Sequence, residues 1–84
     1  MNVIAIVDDL NAGYDWQRER IQRLGFQLGD RFEVLDIDMG QSSTSVSLAG
    51  FVLPFNSVHF RFEEDGEPLN IYADPRFNHY LPRP

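Results

Sequence analysis

Between Gly29 and Tyr72 apolar and polar residues alternate, interrupted by turn residues, which is the period of strands that bury one face. Ser43–Phe51 alternates cleanly, with Thr44, Val46 and Leu48 on one side and Ser43, Ser45 and Ser47 on the other. Three serines in a row make a flat, small, polar surface suited to solvent or a partner. Arg31–Asp38 alternates less well: Phe32, Val34 and Asp36 would share one face, and Glu33, Leu35 and Ile37 the other. Neither face is then cleanly apolar, so a bulge or sharp bend near Leu35 is expected. Asn56–Glu63 reads as the clearest strand, with Val58, Phe60 and Phe62 inward and His59 and Arg61 outward. Glu64-Asp65-Gly66-Glu67 has the Asp-Gly signal of a tight hairpin, and Leu69–Tyr72 returns as a short strand that Pro68 assigns to an edge.

Upstream, Asn2–Val7 is a short apolar strand, and the spacing from Tyr14 or Asp15 to Leu24 turns helical. Asp15 is the expected N-cap and Gly25 the residue just past the C-terminus. The helix is short and polar, so Trp16, Ile21 and Leu24 are expected to pack on the sheet. Residues 73–84 contain three prolines with Phe77 and Tyr80 and read as an irregular tail docked by its aromatics. The expectation is one α+β domain over residues 1–84: a small, bent antiparallel sheet or barrel of about five strands, with one short helix after the first strand.

At 84 residues the chain buries only about 60–65% of its unfolded surface, leaving little room for a deep catalytic cleft. It has no cysteine, which excludes disulfides, thiolate nucleophiles and thiolate zinc sites. Met1–Val7 lacks the basic and apolar regions of a signal peptide, and no run approaches the ~20 apolar residues of a membrane span, so a cytoplasmic location in the host cell is expected. Charge changes the picture most. Thirteen acids face seven bases, every one an arginine, for a net charge of −6. That balance disfavours binding to a phosphate backbone and suits a basic partner surface.

The acids suggest three kinds of chemistry. Val3–Asp9 followed by a polar helix resembles the start of a response-regulator receiver, but Asp9 and Asp36 are too close in sequence for that fold, and there is no lysine to reach a phosphoryl oxygen. Val34–Asp38 resembles the DxD strand of haloacid-dehalogenase-type phosphatases, without the lysine or the larger fold those need. Asp8, Asp9, Asp36 and Asp38 are oxygen ligands of the type hard cations take, but a calcium loop's later ligands do not follow. His59 and His79 have no triad spacing around them. No catalytic residue, metal or cofactor is therefore expected, and the chain is read as a non-enzyme. Candidate partner-binding residues are Asp36 and Asp38 at a strand end, the hairpin acids Glu63, Glu64, Asp65 and Glu67, and the loop aromatics Phe51 and Phe55. Aromatics at such positions either plug the ends of a sheet or form a binding hot spot.

Gly29-Asp30-Arg31-Phe32-Glu33-Val34 and the strands after it resemble small SH3-like barrel proteins. The stretches Gly40–Leu48, Phe55–Phe62 and Ile71–Asn78 look like small proteins of phages and prophages. The resemblance spans about the last two thirds of the chain and implies no catalytic residues. Together with the small size and the acidic charge, it points to a phage-encoded interaction protein that binds and inhibits a host protein, for example a nucleic-acid-processing or defence enzyme such as a CRISPR effector. Its acids would then stand in for nucleic-acid phosphates. The alternative is an adaptor that binds a peptide across the barrel through Trp16, Phe51, Phe55 or Tyr80.

Overall fold

The computed structural model describes residues 2–82, so Met1 and the tail residues Arg83 and Pro84 lie outside the described residues. Six strands form one antiparallel sheet: β1 (Val3–Val7), β2 (Arg31–Met39), β3 (Thr44–Leu48), β4 (Phe55–Asn56), β5 (Phe60–Glu64) and β6 (Glu67–Leu69), with helix α1 (Asp15–Arg23) between β1 and β2. The strand order is β4-β3-β2-β1-β5-β6. This is the expected α+β architecture. The sheet is open, with β4 and β6 at its edges, where a closed SH3-like barrel would pair the two ends.

The predicted bulge explains how β2 serves the sheet. Val34 pairs with Leu48 and Asp36 with Ser47, so Leu35 is the extra residue. Past it the alternation resets, and Ile37 and Met39 join Val34 on the buried face while Asp36 and Asp38 turn outward. Strict alternation had placed Asp36 beside Val34. Thr44, Val46 and Leu48 of β3, Phe55 of β4, Phe60 and Phe62 of β5 and Val3, Ala5 and Val7 of β1 complete the buried face.

The helix enters that core through one residue. Ile21 is fully buried, while Trp16 and Leu24 remain 62% and 47% exposed, contrary to the expectation that all three pack. Trp16, Arg20 and Leu24 lie four residues apart on one helical stripe, and the core takes the neighbouring stripe. The N-cap is Tyr14 rather than Asp15, and Gln17 Oε1 accepts the Tyr14 N–H at 2.8 Å. At the other end Gly25 adopts φ +76°, its N–H reaches the Gln22 carbonyl and the Phe26 N–H reaches that of Ile21. This paired closure needs a left-handed residue at Gly25, and it delivers Phe26 into the core, stacked on Phe32 with ring centroids 4.7 Å apart.

Asn56–Glu63 departs from the single strand expected. A 3-10 turn over Ser57–His59 separates β4 from β5 and shifts the phase. His59 is therefore buried and Val58 exposed, the reverse of the alternation reading. The His59 carbonyl accepts the Asp8 and Asp9 N–H groups at 2.8 and 3.2 Å, and its Nδ1 lies 3.3 Å from the Asp9 carbonyl. Desolvation by burial lowers the His59 pKa. The β5–β6 turn is as expected, with Asp65 and Gly66 at φ +51° and +83°, both left-handed as a two-residue hairpin of this type requires.

The tail is ordered by side chains. The strand expected over Leu69–Tyr72 stops at Leu69, and a 3-10 turn over Ile71–Ala73 follows it. Asn70, Asp74 and Asn78 each accept the N–H two residues on, from Tyr72, Arg76 and Tyr80, so three successive Asx turns carry the chain onward. Ile71 and Phe77 drop into the core from this segment. Tyr80 stays 58% exposed, so of the two aromatics expected to dock the tail only Phe77 does so.

Candidate functional site: the open face of the sheet

Helix, loops and tail all send their buried side chains to one side of the sheet. The other side is uncovered, and the strand registers define it row by row. Ser45 and Asp38 lie side by side across β3 and β2, and Ser47 lies beside Asp36, while Asn56 of β4, next to Ser45 in register, turns its amide to Gln17 of α1 at 3.2 Å. Further along, Glu33, Ile4, Glu63 and Pro68 form a row from β2 to β6, and Arg31, Ile6 and Arg61 form the next.

The two halves of this face differ in charge. Around β1, Glu63 takes hydrogen bonds from Arg31 at 3.0 Å and Arg61 at 3.3 Å. Ile6, though on the open side, is only 1% exposed. Its cross-strand neighbours on the two sides are Arg31 and Arg61, whose long apolar stems are of the kind that cover such a residue while the guanidinium groups stay in water. Hydrogen bonding from Arg31 is the main cause that holds the Glu63 carboxyl below its ordinary value.

On the β2–β3 half, Asp36 and Asp38 are exposed and make no ion pair among the described residues. Their cross-strand neighbours are serines, which offer hydroxyls and no countercharge. Glu33, not singled out from the sequence, is exposed on the same side of β2.

The remaining candidates fall elsewhere. Glu64 points to the packed side, where Arg76 grips it with two hydrogen bonds of 2.8 and 2.7 Å and also binds Asp74 at 2.7 Å. Hydrogen bonding to Arg76 leads the causes that lower the Glu64 and Asp74 pKa values, and those two acids raise that of Arg76. Asp65 accepts a hydrogen bond from Asn2 Nδ2 at 3.0 Å, and Glu67 is exposed at the start of β6. The hairpin run is thus not a single acidic surface, because its two strand residues are neutralised within the protein.

Phe55 is buried, 3% exposed, below the Arg20 guanidinium at 3.8 Å from the ring centroid, and belongs to the core rather than to a contact surface. Phe51 is half-buried and meets Phe26, Phe32 and Phe55 edge-on. Both aromatics plug the sheet. Asp8-Asp9 and Asp36–Asp38 sit at opposite ends of the β1–β2 pair, since Ile6 faces Arg31 and Ile4 faces Glu33. The four acids considered together as cation ligands are therefore separated by the length of the sheet.

No helix among the described residues is long and apolar enough to cross a membrane. The fold and this face define a small α+β protein packed on one side of its sheet and open, polar and partly acidic on the other. The chain belongs to the family of bacteriophage T4 protein Y07B, whose family model matches residues 2–83. No curated protein and no solved structure matches it.

Proposed function

We propose that this phage-family protein is a non-enzymatic interaction protein that binds and inhibits a host protein by covering a basic surface with the open β2–β3 face. The observation that supports this most is the register beyond the bulge, which sets Asp36 and Asp38 outward, opposite Ser47 and Ser45, with no arginine among the described residues pairing them. Acids left unpaired on an uncovered face keep their charge available to a partner, and flanking serines add hydrogen bonding without bulk. Such a surface draws a cationic partner at long range and fixes its orientation at short range. Basic surfaces that accept nucleic acid are the natural target, and occupying one inhibits its owner by exclusion. A CRISPR effector is one such owner.

The test is affinity capture from host lysate with the wild type and with the double variant Asp36→Lys/Asp38→Lys. The expected result is one dominant partner that survives nuclease treatment, is released by high salt and is lost with the double variant. A partner retained equally by the double variant contradicts this reading.

A further inference from the structure

At the β4 edge of the sheet, between the β2–β3 turn and the tail, lies a groove of about 510 Å³, within the roughly 300–1,000 Å³ of small-ligand sites. We infer that it is a binding site for a neutral, hydroxyl-rich small molecule of the saccharide class.

The lining is chemically unusual for this chain. None of the described residues lining it is charged, although 24% of the sequence is. The groove offers no ion pair to a charged ligand, and the net charge of −6 repels anions such as phosphorylated compounds. Hydrogen-bonding groups are present instead, in the hydroxyls of Ser42 and Ser43 and the carboxamide of Gln41. These groups donate and accept, as sugar hydroxyls do, so pairing leaves neither side unmatched.

Two features indicate preparation for a ligand. Ser57, 2% exposed, and Tyr72 share a hydrogen bond of 2.7 Å between their hydroxyls. Two hydroxyl protons serve one mutual bond, so one O–H of the pair remains to donate, and both residues line the groove. The aromatic wall is also held in place. Asn78 donates to the Tyr72 carbonyl at 2.6 Å and accepts the Tyr80 N–H at 2.9 Å, so one side chain fixes the backbone of both tyrosines. Tyr72 and Tyr80 are 47% and 58% exposed, leaving ring surface for the C–H faces of a sugar. Ordering these groups beforehand removes part of the entropic cost of binding.

The experiment is a two-dimensional amide NMR titration of the full chain with neutral methyl glycosides, run beside a sugar phosphate and a short neutral peptide. The expected result is saturable shifts with at least one glycoside, centred on Gln41, Ser42, Ser43, Ser57 and Tyr72, and weaker or absent shifts with the other two probes. Tyr80→Ala should weaken the glycoside about three- to tenfold. Tyr72→Phe, which removes one hydroxyl and keeps the ring, should weaken it too, with amide dispersion in both variants reporting that the fold is intact. Absence of saturable shifts with every glycoside, unchanged affinity in folded Tyr80→Ala, or preference for the phosphate or the peptide would overturn the inference.

Discussion

Glu63 and Glu64 sit on β5 and are each held by arginine: Arg31 and Arg61 grip the first across the open face, and Arg76 grips the second from the tail. Asp36 and Asp38 sit on β2, two strands away in the same sheet, opposite serines. Both regions read as acidic in sequence, and among the described residues only the second leaves its charge without an ion pair. In the first region the charge is spent on tying β2 to β5 and the tail to the sheet. The lesson is that the sign of a segment says little about its use until the cross-strand partners are known.

The largest expected effect comes from reversing the unpaired acids. Asp36→Lys/Asp38→Lys should weaken binding to a basic partner about tenfold or more at physiological salt and flatten the salt dependence. The thermal midpoint should change little, since neither acid has an ion pair among the described residues to lose. Arg76→Gln should do the opposite. It leaves Glu64 and Asp74 without their shared cation, so the thermal midpoint falls by several degrees while Asp36-dependent binding persists. It should also create new affinity for a basic probe at the hairpin, because acids that were neutralised become available.

Acid titration reports on the arginine-held region. The Glu63, Glu64 and Asp74 pKa values are depressed in the folded protein. Their contribution is complete above the ordinary carboxylate values of 4.5 and 3.8 and is lost as pH falls through the lower folded values. Denaturation midpoints followed downward in pH should therefore drop in that range, and Arg76→Gln should remove much of the Glu64 and Asp74 part of the drop. His59 acts at higher pH. Its folded pKa is lowered from 6.5, so the unfolded chain binds the proton more readily and stability declines as pH falls below 6.5. The same scan with His59→Gln should lack that component.

How much of this was legible in the sequence follows from the range of each signal. The β3 alternation, the Asp65-Gly66 turn, the Gly25 helix end and the Leu35 bulge are encoded within a few residues of where they act, and all four were readable. The Ser57–His59 turn was hidden because Val58, Phe60 and Phe62 continue the strand period through it. Packing Ile21 rather than Trp16 and Leu24 depends on which stripe of α1 meets the sheet, and the apolar residues of a nine-residue helix are too few to settle that. The pairing of Arg31 with Glu63 spans 32 residues and exists only once β1 has placed β2 and β5 on either side. No local pattern encodes it, nor the meeting of Ser57 with Tyr72 in the groove.

The smallest effect is expected at Glu67, exposed and unpaired among the described residues but remote from the β2–β3 face. Glu67→Lys should change binding less than about twofold and stability by no more than about 0.5 kcal/mol. A larger loss of binding there would move the contact surface to the hairpin.

The most direct test of the account is an amide NMR titration of the wild-type protein with a hexa-arginine peptide as a stand-in for a basic surface. Shifts centred on Glu33, Asp36, Asp38, Ser45 and Ser47, with Glu63 and Glu64 little changed, are predicted. Shifts centred on residues 63–67 instead would contradict the claim that the arginine pairs have already taken that charge.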